Sequence, residues 1–133
     1  MIDGGEGDDK ITFQPASQNG TDTGRGLGDG TISVFGWGGN VDGGAGNDLI
    51  NAQGLVTSVS GGDGNDTITG DSADYGGGTP LSGDAGDDLL ILSSSPSFQI
   101  GATADGGMGD DTIQSTTHLF SSDSYGADGW RRV

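Results

Sequence analysis

Large aliphatic residues recur singly along this chain, in two sets that keep a constant offset from each other. The first set consists of Ile11, Ile32, Ile50, Ile68, Leu90 and Ile113. The second set lies nine residues before members of the first and consists of Ile2, Val41, Val59, Leu81 and Ala104. Short strands that each point one such side chain inward, joined by glycine-rich turns, would bring the two sets face to face. The pattern predicts stacked short strands around a thin core.

The first aliphatic set belongs to a repeated block of nine residues. Four blocks match in full and start at Gly4, Gly43, Gly61 and Gly106, while the block that starts at Gly83 has Asp84 in place of the second glycine. A degenerate copy at residues 25–33 has Gly30 where the others have aspartate. Successive copies are 18 residues apart, or 18 plus an insertion of 3, 4 or 5. A solenoid tolerates such insertions at one edge, so we expect an all-β solenoid of about six turns.

The composition supports a thin core and excludes several classes of protein. Thirty glycines in 133 residues disfavour a helical domain, and 29% hydrophobic residues are too few for a thick core. Twenty acidic against four basic residues give a net charge of −16, which argues against nucleic acid or an anionic membrane as a direct partner. The chain has no cysteine, which excludes disulfides and cysteine-ligated metals. Cations are the natural partner.

The acidic residues occupy fixed positions in the blocks. The fifth residue is Asp or Asn, and the sixth is aspartate in all five: Asp9, Asp48, Asp66, Asp88 and Asp111. Stacking would place the sixth-position carboxylates in one column, where they repel each other unless a cation lies between them. Glycines at the first, second and fourth positions permit turns that direct backbone carbonyls toward one point. Carboxylate and carbonyl oxygens in flexible geometry favour calcium over magnesium, and zinc lacks its usual ligands here.

The five blocks resemble the calcium-binding nonapeptide of the repeats-in-toxin (RTX) family, and the resemblance covers about residues 4–114, which is most of the chain. The resemblance implies a right-handed parallel β-roll, several calcium ions held between successive turns, disorder without calcium, and secretion. It also implies that the sixth-position aspartates are the side-chain ligands. The carbonyl ligands that it implies are those of Gly5, Gly7, Gly44, Gly46, Gly62, Gly64, Gly86, Gly107 and Gly109.

The chain also departs from the family. Alternate half-turns lack the motif, so we expect calcium on one edge only and about three to five ions in all. Gly30 and Asp84 weaken the sites in which they take part. The ending at residues 129–133 is unlike the family's usual secretion tail, and neither a cleavable signal nor an apolar run long enough to cross a membrane is visible.

Two regions follow from the extent of the blocks. Residues 1–114 are predicted to form the calcium-binding roll, and residues 115–133 a C-terminal cap or tail. All eight aromatic residues lie outside the five blocks: Phe13, Phe35, Trp37, Tyr75, Phe98, Phe120, Tyr125 and Trp130. They either form a surface for a partner, such as a surface polysaccharide or another copy of the chain, or cover the open ends and the bare edge of the roll.

The sequence gives little support for a catalytic function, since His118 is the single histidine and no catalytic motif is present. We therefore expect a protein that is not an enzyme: a secreted structural or adhesive solenoid of the cell surface or extracellular matrix, which associates end to end or laterally into fibres. The alternative is a calcium-triggered folding and secretion module of a larger RTX protease or lipase. Ice binding is disfavoured, because Thr67, Thr69 and Thr112 form no regular array in this register.

Overall fold

The computed structural model of this protein describes residues 2–13, 26–72, 79–94, 103–115 and 131–132. In these segments the chain forms strands, isolated bridges, turns and bends, and no helix that could span a membrane is found there. The strands are β1 (Gly5–Glu6), β2 (Lys10–Phe13), β3 (Gly26–Leu27), β4 (Thr31–Trp37), β5 (Asn40–Ala45), β6 (Leu49–Leu55), β7 (Ser58–Asp63), β8 (Thr67–Ser72), β9 (Leu81–Ala85), β10 (Leu89–Ser94), β11 (Ala104–Asp105), β12 (Thr112–Ser115) and β13 (Arg131–Arg132).

The strands alternate between two sheets. One sheet has the order β1-β3-β5-β7-β9-β11, and the other has the order β13-β12-β10-β8-β6-β4-β2. Every strand pairing within the sheets is parallel. The prediction of an all-β parallel solenoid is therefore confirmed, with about four turns. The expected six turns, the right-handed winding and the calcium stay predictions.

The register of the repeat is the same in every turn of the seven-stranded sheet from β2 to β12. Leu49 pairs with Thr31 on one side and with Thr67 on the other, both 18 residues away. Thr67 also pairs with Leu89, which is 22 residues away, so an insertion of four does not shift the pairing. The three insertions fall in stretches that include residues 14–25, 73–78 and 95–102, which lie outside the described residues.

Both aliphatic sets point into the space between the sheets, except for Ile2, which is partly buried and does not belong to the core cluster. Ile50, Ile68 and Leu90 are completely buried, and Val59 and Leu81 face them from the other sheet, 1–2% exposed. Ile11 and Ile113, near the ends of the stack, are only partly buried but pack against this core. The thin core predicted from the sequence is confirmed.

A further buried column, absent from the predicted core, lies two residues beyond the first set. Val34, Ala52 and Leu92 occupy it, as period-two alternation along a strand requires. Gly70 holds the same position in β8, where a Cβ atom would come within 2.7 Å of Leu81 Cδ2. Leu81 thus fills the space that the glycine leaves. These residues lie one position beyond the nine-residue block, which is why the motif did not reveal the column.

The C-terminal region returns to the stack. Strand β13 pairs with β12, with Arg131 opposite Thr112 and Arg132 opposite Ile113. The assignment of residues 1–114 and 115–133 to a roll and a cap stays a prediction. Of the aromatic residues, Phe13 packs against the core and Phe35 is half-buried in β4. The following lie outside the described residues: Tyr75, Phe98, His118, Phe120, Tyr125 and Trp130.

Candidate metal-binding edge

The glycine- and aspartate-rich part of each block crosses from one sheet to the other at the same edge of the solenoid. In the middle of the stack, the backbone N–H of Gly46 donates to the carbonyl of Asp63 at 2.8 Å, and the N–H of Gly64 donates to that of Ala85 at 2.7 Å. The N–H of Thr67 donates to the carbonyl of Asp48 at 2.8 Å. The turns are therefore joined to each other by backbone hydrogen bonds, as strands are.

The sixth-position aspartates are buried at this edge. Asp48, Asp66, Asp88 and Asp111 are each no more than 3% exposed, a degree of burial that is unusual for a charged residue. Asp9, in the first block, is partly buried. Each of these residues lies one position before a strand of the seven-stranded sheet, so the register of that sheet aligns their side chains in one column. The structure thus brings the predicted ligands together across turns.

One oxygen of each carboxylate in the continuous part of the column joins two turns. The N–H of Asp48 donates to Asp66 Oδ1 at 2.7 Å, and the N–H of Asp66 donates to Asp88 Oδ1 at 2.7 Å. The N–H of Asp88 donates to Asp111 Oδ1 at 3.0 Å. The degenerate copy also takes part, since the N–H of Gly30 donates to Asp48 Oδ1 at 2.8 Å. These contacts satisfy turn N–H groups that the strand ladders do not reach.

The fifth-position side chains form a second ladder in the opposite direction. The N–H of Asn65 donates to Asn47 Oδ1 at 2.8 Å, and the N–H of Asp87 donates to Asn65 Oδ1 at 2.9 Å. The N–H of Asp110 donates to Asp87 Oδ1 at 2.9 Å. Asn serves as well as Asp here because the contact needs only an acceptor oxygen. This explains why the fifth position varies between the two residues.

The second oxygen of each sixth-position carboxylate is buried without a hydrogen-bond partner. This holds for Oδ2 of Asp9, Asp48, Asp66, Asp88 and Asp111. Burying an unpaired carboxylate is strongly unfavourable, and the group must bind a proton or a cation. The same atom is left unpaired in all five blocks, which points to a common partner.

The first glycine of the block makes room for this oxygen. A Cβ atom on Gly43 would lie 2.5 Å from Asp48 Oδ2 and also in contact with the carbonyl oxygen of Gly61, one turn on. Gly61 has the same relation to Asp66 Oδ2, with the carbonyl oxygen of Gly83 at 2.8 Å. A carboxylate oxygen and a carbonyl oxygen therefore converge beside each of these glycines. Both are acceptors, so a positively charged group suits the space between them.

The predicted ligand set does not include these first-position carbonyls, since the family resemblance implied only those of the second and fourth glycines. One signal could have found them. The copy that has Gly30 in place of the sixth-position aspartate is also the copy that has Arg25 in place of the first glycine. In the sequence, a larger first residue thus accompanies the loss of the sixth-position carboxylate, although Arg25 itself lies outside the described residues.

The second- and fourth-position glycines also allow close packing between successive turns. A Cβ atom on Gly62 or Gly64 would contact the carbonyl oxygen of the equivalent residue one turn before, and both residues have positive φ. The same close approach is found at Gly44, Gly46, Gly86, Gly107 and Gly109, while Gly5 and Gly7 start the stack and have nothing beside them. Their use as metal ligands stays a prediction.

Asp84 adopts the conformation that glycine has in the other blocks. Its φ is +73°, and its carboxylate accepts hydrogen bonds from the hydroxyls of Ser60 and Ser82, the latter at 2.7 Å. Aspartate tolerates the left-handed region better than most residues. The substitution leaves Asp88 in the column, bonded to the N–H of Asp66.

Burial raises the pKa of the central carboxyls above the ordinary value of 3.8. The pKa of Asp66 rises to about 7, chiefly through burial, and the charges of Asp88, Asp48 and Asp84 raise it further. Burial also raises the pKa of Asp48 and of Asp88. The hydrogen bond that each Oδ1 accepts acts in the opposite direction but does not cancel this effect.

The donor set fits a hard cation that takes oxygen ligands from several parts of the chain. Within the described segments no three acidic or histidine side chains converge on one point, so a cage made only of side chains is not present there. Each aspartate instead offers one oxygen, and backbone carbonyls lie beside it. Calcium accepts such mixed ligands. The column is continuous from Asp48 to Asp111 and is interrupted at Gly30, which separates Asp9 from the others.

Comparison of the chain with protein-family models, with curated proteins and with solved structures finds no match.

Proposed function

We propose that this protein is a secreted, calcium-dependent structural and adhesive β-solenoid of the cell surface or extracellular matrix, with the calcium-binding repeats of the RTX type. The observation that carries the proposal is the column of buried Oδ2 atoms without partners, one from each sixth-position aspartate. A buried column of like charges opposes folding unless positive charge accompanies it. Calcium, when bound, supplies that charge and accepts carbonyl oxygens from neighbouring turns.

The two oxygens of each sixth-position carboxylate then stabilise the rod in different ways. Oδ1 of Asp66 and Asp88 holds successive turns in register, and Oδ2 of the same residues is left for the cation. The thin core, which is two side chains deep, contributes too little burial to offset a backbone entropy cost of about 1–2 kcal/mol per residue. Folding and calcium binding are thus coupled, because the ligands come from different turns.

This coupling supports an extracellular location. Extracellular calcium modules have dissociation constants of about 10⁻⁴–10⁻³ M, so such a chain stays unfolded at cytosolic calcium and folds outside the cell. A rod of stacked turns with short strands at its ends, such as β1 and β11, is suited to a structural role and to association with other copies. Neither role requires catalytic residues, in agreement with a protein that is not an enzyme.

A calcium titration followed by far-ultraviolet circular dichroism near neutral pH tests the proposal. We expect a largely unfolded spectrum in excess chelator and a cooperative gain of β-structure as calcium rises through about 10⁻⁴–10⁻³ M. Magnesium at the same concentrations is the matched control and should produce little change, because it retains its waters and demands octahedral geometry. A full β-spectrum in excess chelator near neutral pH would refute calcium-dependent folding.

A further inference from the structure

The charge of the protein is distributed unequally over the two outer sheet faces. On or beside the strands of the six-stranded sheet, the side chains directed away from the core include six acidic residues: Asp3, Glu6, Asp42, Asp63, Asp84 and Asp105. Five of these residues line a groove of about 660 Å³ that runs across the turns over the backbone of Gly5, Gly26, Gly44 and Gly62. Four more acidic residues are exposed at the turn edge: Asp8, Asp29, Asp87 and Asp110.

The opposite face belongs to the seven-stranded sheet. It is almost uncharged over strands β2, β4, β6, β8, β10 and β12, while the side chains of β13 (Arg131–Arg132) at one end of the sheet lie outside the description. We call it the neutral face and define it by the described side chains of these strands that alternate with the buried ones. They are Lys10, Thr12, Thr31, Ser33, Phe35, Leu49, Asn51, Gln53, Thr67, Thr69, Asp71, Leu89, Ile91, Ser93, Thr112 and Gln114. Lys10 and Asp71 are the charged members of this set.

The neutral face exposes apolar area as well as hydroxyls. Leu49 is 49% exposed, and Phe35, Leu89 and Ile91 are partly exposed. Along the stack, Thr31, Leu49, Thr67, Leu89 and Thr112 occupy one column, in which threonine alternates with leucine. Each exposed leucine side chain in the column is therefore flanked by threonines on the neighbouring strands. The spacing is regular because the parallel strands keep a constant register.

We infer that the neutral face is the surface through which two copies of this chain associate laterally, sheet against sheet. A chain with a net charge of −16 repels its own copies wherever acidic surfaces meet. Among the described surfaces, the neutral face permits the approach of two copies with the fewest carboxylates, since Asp71 is its single acidic member. A neutral partner such as a polysaccharide would not require the acidic residues to be kept off this face, whereas a second copy does.

The neutral face is small for a protein–protein interface, so we expect the association to be weak. Six strands at about 4.8 Å and about five residues at about 3.3 Å give a flat area of roughly 25 by 17 Å, or about 400 Å² on each copy. Stable complexes usually bury about 800 Å² on each partner. The lateral contact is therefore reversible, and it becomes extensive when rods also join end to end and repeat it along a fibre.

This inference deepens the proposed function, on which it rests for the folded, calcium-loaded rod. Sedimentation velocity of calcium-loaded protein over about a hundredfold range of concentration tests it. We expect a concentration-dependent rise in sedimentation coefficient for the unaltered chain. Leu49→Asp should weaken the association about tenfold or more, because it places an acid on each side of the contact. Circular dichroism on the same samples shows whether the rod has folded, so failure of the proposed function is recognised separately.

Leu27→Asp is the matched control. Leu27 is 59% exposed on the outer face of the six-stranded sheet, which we call the acidic face, and the change adds the same charge. We expect it to leave the association unchanged. Gln53→Glu, at an exposed position of the neutral face, serves as a second variant if Leu49→Asp fails to fold. A folded wild-type chain that stays monomeric throughout, or equal weakening by the Leu27 and Leu49 changes, would overturn the inference.

Discussion

The backbone N–H of Asp66 donates a hydrogen bond to Oδ1 of Asp88, 22 residues later, at 2.7 Å. This hydrogen bond joins two turns and uses one oxygen of the Asp88 carboxylate. The other oxygen is buried without a hydrogen-bond partner. The same residue therefore stabilises the stack through a hydrogen bond and destabilises it through its charge. A cation that neutralises the charge without disturbing the hydrogen bond resolves this conflict, and four predictions follow from it or from the core beneath it.

Replacing Asp66 by asparagine separates the two roles. The amide oxygen of the new side chain can still accept the hydrogen bond from the N–H of Asp48, but the side chain carries no charge. We expect the calcium concentration at the folding midpoint to rise by about tenfold or more, since even indirect partners of metal ligands contribute that much. In chelator near neutral pH, the variant should be at least as stable as the unaltered chain. A calcium titration by circular dichroism measures both effects.

Asp63→Asn is the control for this change. Asp63 is exposed on the acidic face, three residues before Asp66, and its replacement removes the same charge. The calcium midpoint should hardly move. If the two variants shift the midpoint equally, the effect arises from net charge and not from the buried column.

The metal-free fold should be more stable in acid than at neutral pH. Burial raises the pKa of Asp66 from 3.8 to about 7, so the folded state binds a proton more tightly than the unfolded state does. By linkage, this stability is fully present below about pH 4 and is lost as the pH rises through about 7. The raised pKa of Asp48 and of Asp88 acts in the same direction.

Far-ultraviolet circular dichroism in excess chelator, measured across this pH range, checks the sign, since the folded fraction should rise as the pH falls. A metal-free protein whose stability rises with pH would contradict it. With calcium present the trend should reverse, because protons compete with the cation for the same oxygens.

The first-position glycine is required for space. In Gly61→Ala, the new Cβ atom would contact Asp66 Oδ2, and we expect a loss of about 1–3 kcal/mol in the free energy of unfolding of the calcium-loaded protein. In an Asp66→Gly background the same alanine should cost much less, because the carboxylate oxygen that the Cβ atom would contact is gone. Denaturant unfolding of the four proteins in this double-mutant cycle measures the coupling.

Gly26→Ala is the matched control, because a Cβ atom there meets its nearest neighbour, the carbonyl oxygen of Gly5, at an ordinary 3.6 Å. Its effect should be within about 0.5 kcal/mol. If the cost of Gly61→Ala is unchanged by removal of the Asp66 carboxylate, the glycine serves another purpose.

The thin core should be sensitive to single truncations. Ile68 is completely buried at the centre of the stack, and Ile68→Ala is expected to lower the free energy of unfolding by about 2–5 kcal/mol. Leu49→Ala, one strand away on the neutral face, removes a half-exposed side chain and should cost less than about 1 kcal/mol. Denaturant unfolding in saturating calcium compares the two. Equal losses would mean that the core does not lie between the sheets.

The sequence by itself determined the parallel solenoid, its register and both aliphatic columns. Each of these depends on a motif repeated at fixed spacing, and repetition converts a weak local signal into a constraint on every turn. Leu90 and Val59, for example, could be assigned to the core because equivalent residues recur in neighbouring copies. The sixth-position aspartates were found for the same reason.

Only the tertiary structure decided how those aspartates are used. That Oδ1 of Asp88 binds the N–H of Asp66, and that Gly61 gives space to Asp66 Oδ2, are relations across turns or between strand and turn. The segregation of charge onto one sheet face is likewise a property of the assembled stack. Such relations depend on the distance between atoms that are far apart in the chain or on different strands, and a linear pattern contains no distances.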